Sequence, residues 1–566
     1  MTGRHGCLLV EHHQCSTRLA FRHPRQRSPQ SVRLSPFSKF LKFRARASTT
    51  MSAIPFYSIV PMGVMADSYK ATHFAQYPPA SKLVAYGEFR CGYNKDTEDT
   101  RLVWHGLRYI LETFVQRQWT LDDLEKASKF YSTHMLPFST EFPFPKELFR
   151  RFITENDGYF PVKIEALPEG TCVHAHVPVY QLTAEGDYAH LCTFLETVMT
   201  MVWYPSTVAT LSRRARDVIE RAFEKSSNAG KNCPTVTGRL HDFGFRGCTC
   251  PEQSIIGGTA HLLNFTGSDT MSAAFYAQFH LNDGKPVAMS VPATEHSVMT
   301  SWQTELDAMK NMVENFGDGV YSIVMDSYNY ERALFKVMPI AKESISAKQG
   351  SIVIRPDSGD PVEAVCLGLK ACDEAFGADK NAKGYRVLRK SKVLQGDGID
   401  VVVLEKILDA VLEAGYSAEN CVFGMGGGLL QKLNRDTMSF ATKLSHITHQ
   451  DGASNDIMKT PKGASSKTSL PGVLAVKRVD GVPTVFPAED GWVNPEENML
   501  KVVYDKGPVE DCILLRDDFD TLRARVAKEW SELPKTADVI SAPLKEKMER
   551  VQKEQEARYN QSLEEH

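Results

Sequence analysis

Arg355 and Asp357 are separated only by Pro356. Proline locks the backbone between them, so a guanidinium able to grip a carbonyl or phosphate stands beside a carboxylate able to accept two ribose hydroxyls. Such a pair can equally be a mutual or capping ion pair. Glu295-His296 adds a ring that could serve as a general base, a phosphate contact or a phosphorylated nucleophile, although a lone histidine more often fills a structural role. Asp269, Asp326 and Asp397, the last between Gly396 and Gly398, supply further carboxylates; each alone is more often a helix cap.

The run 424–428 reads Gly-Met-Gly-Gly-Gly. Glycines let backbone approach an anion closely, and a helix expected over 429–433 would add free N–H groups and a positive dipole end. The run matches neither the Walker A pattern nor the dinucleotide fingerprint, and a tight packing turn is the plain alternative. Arg435, expected about two turns into that helix, is an added cation. Together with Arg246 and Arg355, these groups describe a site for a sugar bearing several anionic groups.

Residues so scattered can meet only if the fold gathers them. After Gly238 a short apolar run, a polar cluster and a helical stretch recur roughly every 30 to 40 residues, the length of one strand-helix unit. The clusters fall at 241–246, 266–269, 294–296, 326–327, 355–359, 396–398 and 424–428. Buried strands are expected at 322–325, opening on Ser322, at 351–354 and at 422–423. Asp360 before Pro361, and Asp400, read as helix caps. This is the pattern of an α/β protein with an irregular (β/α) barrel of about seven units, whose active site would lie at the C-terminal rim.

The expected organisation is a basic leader over 1–51, an N-terminal α+β domain over 52–237, the barrel over 238–437, a return to the α+β domain over 438–535, and a solvated, frayed helical tail over 536–566. Leu107, Ile110, Leu111 and Phe114 mark a helical face, and an apolar helix from Ala189 is expected to break near Pro205. The leader holds ten Arg or Lys against the single acid Glu11, a transit-peptide bias, while Met51 offers an alternative start. The expected location is intracellular: cytoplasm, or mitochondrion or plastid if the leader is a targeting peptide.

The chain has 566 residues, 42% hydrophobic and 24% charged, with net charge −3. It is long enough for a large core, and its charge gives no global field for nucleic acid. No run reaches the roughly 20 apolar residues of a membrane span, so neither nucleic acid nor membrane is an expected partner. The twelve cysteines are scattered, and Cys248 and Cys250 lack the C-x-x-C spacing of zinc and redox motifs.

The runs 66–70 with Thr72-His73, 76–79, 203–205, 240–247, 290–297, 354–359, 395–400 and 426–436 resemble, in matching order, the nicotinamide phosphoribosyltransferases, a type II phosphoribosyltransferase family. The resemblance implies a homodimer with sites completed by the partner. It implies that Phe243 and the partner-supplied Tyr69 sandwich nicotinamide, that Asp269 accepts from the carboxamide NH₂, and that Arg355 faces its oxygen. By the same resemblance Asp357 holds the ribose, Gly426 and Gly427 with Arg435 from the partner bind the 5′-phosphate, and Arg246, Arg90 and Lys443 lie near phosphate or pyrophosphate. Ser322, Asp326, Gly396 and Asp397 join the substrate-binding set. His296, beside Glu295, matches the histidine phosphorylated during an ATP hydrolysis coupled to transfer.

The expected substrates are nicotinamide, 5-phosphoribosyl pyrophosphate and ATP as co-substrate. Mg²⁺ should ride chiefly on the pyrophosphate, with Asp326 and Asp357 as candidate protein ligands. A nicotinate-specific enzyme and a non-catalytic dimeric scaffold on the same fold are the alternatives. Met425 stands where the family usually has a small polar residue, which puts the phosphate turn in question.

Overall fold

The computed structural model describes residues 59–136, 140–461, 467–489 and 491–564; the expected leader lies outside them. Six short strands build one parallel sheet, in the order Gly267–Ser268, Leu240–Asp242, Cys421–Met425, Ser391–Gln395, Ser351–Arg355 and Val320–Val324. Nearly all of their apolar residues are buried, Val320 at the start of its strand being exposed, as suits a parallel sheet covered on both faces. The segment 289–293 bridges both edges: Met289 pairs with Gly267 and Ala293 with Ser322. That bridging segment closes the sheet into a seven-part irregular barrel.

Helices follow the strands and return along the outside. Asp360 caps Pro361–Phe376 by accepting from the N–H groups of Val362 and Glu363, and Asp400 caps Val401–Glu413 through Val403. Ends of this kind satisfy donors that would otherwise be orphaned, and they fix where each rim loop stops.

A second six-stranded sheet draws its strands from both sides of the barrel in sequence, in the order Ser454–Asp456, Ala441–His449, Ala80–Glu88, Pro178–Glu185, Lys163–Ala166 and Lys501–Asp505. Every pairing in it is antiparallel. The 24-residue helix Trp203–Ser226 ties the separate two-stranded ladder of Arg101–Val103 and Cys172–His174 to the barrel. On one side Thr210 Oγ1 accepts from Val103 N–H, and on the other Tyr204 Oη donates to Leu430 C=O.

Three expectations are corrected. Pro205 does not break a helix; it sits in the first turn of Trp203–Ser226, where its missing N–H has no helical partner to lose. The helix after the glycine run is only Gly427–Leu430, and Arg435 stands beyond it in the 3₁₀ turn Arg435–Thr437, started by a capping box at Asn434. The tail is docked rather than frayed over its first turns: Leu544 and Val551 of Ala542–Glu564 are buried, and buried Lys547 pairs with Asp456 and Glu489 at 2.9 Å each. His446, Asp456 and Glu489 have metal-ligand proximity, but Lys547 is already ion-paired to both carboxylates. Among the described residues, ten cysteines are free and no helix is long and apolar enough to cross a membrane.

Candidate active site

At the barrel rim Asp326, just past Val320–Val324, is almost fully buried and uses both oxygens. Oδ1 takes a 3.0 Å bond from His296 Nε2; Oδ2 accepts from Asp357 N–H at 3.0 Å and from the Ser358 hydroxyl. Burial works to raise its pKa, and the bonds from Ser358, His296 and the Asp357 backbone outweigh burial, so the carboxyl is held below its ordinary range. His296 begins the short helix His296–Ser301, with Glu295 as its exposed N-cap bonded to Ser297. With Nε2 engaged, His296 presents Nδ1 to Asp357 Oδ2 at 3.8 Å. Asp357 Oδ1 in turn lies 3.8 Å from Arg355 Nε.

Beside this cluster a cavity of about 380 Å³ runs down the barrel from Phe243, Asp269 and Arg355 at the rim, past Ser322 in mid-strand, to Arg239 and Lys392 nearer the opposite strand ends. Burial and the charge of Arg239 bring Lys392 down to about 8. Toward the rim the polar groups have a definite sense. Ser322 Oγ and Arg355 Nε are buried and find no hydrogen-bond partner among the described residues, so two donors are held ready. Asp269 lines the same cavity as an acceptor, its Oδ1 already bonded by Ser290 Oγ at 2.8 Å and His241 Nδ1 at 3.3 Å.

Phe243 forms one wall, and glycines make room for it. A Cβ on Gly424 would come within 2.2 Å of Phe243 Cε2, and one on Gly396 within 3.0 Å. The glycine run therefore divides by role. Gly424 accommodates the ring and Gly428 accommodates the Ile399 carbonyl, whereas Gly427 is exposed with nothing nearer than 3.7 Å, and Gly426 adopts φ −97°, ψ −97°. Met425 is fully buried in the core, so its side chain is turned away from the open pair. Because the helix is one turn long, backbone N–H groups rather than a strong dipole are what Gly426 and Gly427 can offer an anion. Arg246 and Asp397 are exposed on neighbouring rim loops.

The remaining predicted residues form a separate group on and beside the other sheet. Tyr69, 53% exposed, lies on the 3₁₀ helix Ser68–Ala75, with Lys70 Nζ 5.2 Å from its ring centroid and Lys70 ion-paired to Glu196. Arg435 is near enough for its charge to act on the Tyr69 hydroxyl. Burial, and the charge of Arg90, lower Lys443 against the opposing pull of Glu196. Arg90 is held by the Ser439 and Met438 carbonyls. Tyr69, Arg90, Arg435 and Lys443 line none of the barrel cavity.

His241, Ser290 and Asp242 carry weight that sequence reasoning did not assign individually. Asp242, buried at the end of Leu240–Asp242, caps the turn after Phe243 by accepting from Gly244 N–H at 2.7 Å. Burial and the neighbouring Asp269 charge push it up to about 6. All three lie inside runs whose resemblance was legible, but their partnership with Asp269 spans chain separations no local pattern reveals.

A closed irregular barrel with a glycine turn and an acid-histidine pair on its rim fits a phosphoribosyltransferase of the nicotinate phosphoribosyltransferase (NAPRTase) type, whose family model matches residues 238–506. Solved structures agree on the fold: the nicotinate-nucleotide pyrophosphorylase of Pyrococcus furiosus aligns with TM-score 0.54 at 14% identity, covering 84% of this chain and 97% of that one. Human nicotinic acid phosphoribosyltransferase aligns with TM-score 0.53 at 18% identity, covering 86% and 99%. A model of the nicotinamide phosphoribosyltransferase N-terminal domain matches residues 62–164. The nicotinamide phosphoribosyltransferase of Xanthomonas campestris pv. campestris is 39% identical over 420 residues, 73% of this chain and 86% of that protein. That of Acinetobacter baylyi is 29% identical over 510 residues, 84% and 98%. The chain belongs to the nicotinamide phosphoribosyltransferase family.

Proposed function

We propose that this enzyme transfers the 5-phosphoribosyl group of phosphoribosyl pyrophosphate to the ring nitrogen of nicotinamide, giving nicotinamide mononucleotide and pyrophosphate for NAD salvage. The observation that supports it best is the polarity of the cavity lining: an acceptor, Asp269, shares it with two donors that have no hydrogen-bond partner among the described residues, Ser322 Oγ and Arg355 Nε. A carboxamide has the complementary arrangement, NH₂ toward Asp269 and C=O toward the donors, whereas a carboxylate would turn an anion toward Asp269.

In the reaction the C1–O bond to pyrophosphate breaks with its electron pair leaving on oxygen, and the pyridine nitrogen lone pair forms the new bond to C1. The base is already nucleophilic, so positioning and charge stabilisation carry the catalysis. Phe243 stacks the ring, Asp357 accepts from the ribose hydroxyls, and Gly426 and Gly427 donate to the 5′-phosphate. Mg²⁺, when bound, would neutralise the departing pyrophosphate. Both oxygens of Asp326 are already occupied, so of these two carboxylates Asp357 is the one left to meet a hydrated ion or the ribose.

His296 would receive a phosphoryl group from ATP at Nδ1, the nitrogen Asp326 leaves free. Tyr69, Arg90, Arg435 and Lys443 would complete the site of a second subunit. The helix Met271–Phe279 presents Met271, Phe275 and Phe279 to solvent at a spacing of four, an apolar stripe suited to burial against a second copy.

The test is product analysis with nicotinamide and nicotinate, with and without ATP, on the wild type and Asp269→Ser. Mononucleotide from nicotinamide, with a preference over nicotinate that Asp269→Ser erodes, is expected. Unchanged selectivity in the variant, or a wild type that takes only nicotinate, overturns the reading.

A further inference from the structure

We infer that His241 is a specificity-positioning residue that, with Ser290, pins the Asp269 carboxylate and thereby sets discrimination between an amide and a carboxylate on the pyridine ring; this rests on the base-binding role proposed for Asp269.

Both contacts to Asp269 fall on one oxygen. Ser290 Oγ donates to Oδ1 at 2.8 Å, and His241 Nδ1 lies 3.3 Å from the same atom. A carboxylate only accepts, so Nδ1 carries the proton in that contact. Oδ2 has no partner among the described residues, and the side chain is 40% exposed toward the rim. One oxygen is thus held by the protein and the other is left for a ligand.

The histidine cannot swing away easily. Its strand pairs His241 with Gly267, and a Cβ on Gly267 would lie 2.4 Å from His241 Cδ2 and 2.8 Å from Nε2, so the ring lies directly against that backbone. His241 is 5% exposed and lines the cavity next to Phe243, whose ring centroid is 6.3 Å away at 71°. Gly267 neighbours the segment that carries Ser290, through the bridge to Met289. Three adjacent barrel segments therefore converge on a single carboxylate oxygen.

Fixing matters because discrimination depends on repulsion as well as attraction. A pinned Asp269 must meet a bound carboxylate head on. A free one can rotate its charge toward solvent and so tolerate nicotinate while gripping nicotinamide less well. Losing a hydrogen bond to a charged group is commonly worth about tenfold or more in a ratio of rates.

Two substitutions separate the pinning contact from the mere presence of a ring. In His241→Asn the side-chain amide nitrogen falls near the position of Nδ1 and can still donate to Oδ1. In His241→Gln the amide reaches the position of Nε2 instead and the contact is lost. The ratio of kcat/KM for nicotinamide to that for nicotinate is measured for wild type, His241→Asn, His241→Gln, Asp269→Ser and the double variant His241→Gln/Asp269→Ser. Expected is a fall of about tenfold for His241→Gln, retention within about threefold for His241→Asn, and no further fall when His241→Gln is added to Asp269→Ser.

If Asp269→Ser lowers the ratio but His241→Gln does not, the inference fails while the base-binding reading stands. Independent, multiplying effects in the double variant have the same consequence. If Asp269→Ser leaves the ratio unchanged, both fall. Should His241→Gln not fold, Ser290→Ala removes the other bond to Oδ1 and is expected to lower the ratio in the same way; an unchanged ratio there overturns the inference.

Discussion

His296 and Asp326 are joined by a 3.0 Å hydrogen bond from Nε2 to Oδ1, and the other oxygen of the same carboxylate holds the backbone of Asp357. One buried side chain thus sets both the histidine ring and the turn that would meet ribose. Asp326→Asn keeps the shape but removes the charge that both partners are oriented by. It is expected to abolish ATP stimulation and to lower kcat/KM for phosphoribosyl pyrophosphate by about 10- to 100-fold, the worth of one or two charge-assisted bonds. His296→Ala should lose ATP stimulation alone, retaining basal transfer. Mononucleotide formation with and without ATP distinguishes them, and ATP stimulation surviving in either variant removes that residue from the coupling.

The division within the glycine run predicts opposite substrate effects. Gly424→Ala places a methyl 2.2 Å from Phe243 Cε2, so the ring must move. A loss of about 1–3 kcal/mol in stability and a raised KM for nicotinamide are expected. Gly427→Ala meets nothing within 3.7 Å and should leave the melting temperature unchanged while raising KM for phosphoribosyl pyrophosphate, because a methyl there stands where an anion would approach. Equal effects of both variants on both substrates would show the division to be wrong.

Asp242 gives a pH dependence whose sign follows from its pKa. Burial and the Asp269 charge push it to about 6, above its unfolded value, so the native state binds the extra proton between roughly pH 4 and 6. Its unfavourable contribution therefore grows as pH rises through that window and is complete at neutrality. Asp242→Asn retains an oxygen for Gly244 N–H and removes the charge. It should stabilise the protein by about 1–3 kcal/mol at pH 7 and by nothing near pH 4. Thermal melts across that range measure it, and a stabilisation independent of pH contradicts the assignment.

What the sequence made legible was local. Arg355-Pro356-Asp357, the caps Asp360 and Asp400, and the strand-cluster-helix repeat all depend on neighbours a few residues apart, and each has its expected counterpart in the barrel. Pro205 was misread because proline in a first turn and proline at a break look alike in sequence. Arg435 was misplaced because the Asn434 capping box, not the apolar run before it, decides where the next turn starts. The convergence of His241 and Ser290 on Asp269 is set by strand register, which local pattern does not carry.

Tyr69 stands apart from the barrel cavity in its own chain, exposed, beside Arg435 and over Lys70. If it serves the site of a second subunit, two inactive variants must rescue each other. Tyr69→Ala leaves its own barrel intact but supplies a defective ring, while Arg355→Ala has a defective barrel and supplies a good ring. In a mixed dimer the Tyr69→Ala barrel receives the intact tyrosine, and the second site carries both defects. Random exchange of equal amounts makes about half the dimers mixed with one working site each, so about a quarter of wild-type activity should return. Recovery should follow subunit exchange in time, and Phe275→Asp, which places a charge in the apolar stripe, should prevent it if that stripe is the contact. No recovery despite demonstrated exchange would place Tyr69 outside the partner's site.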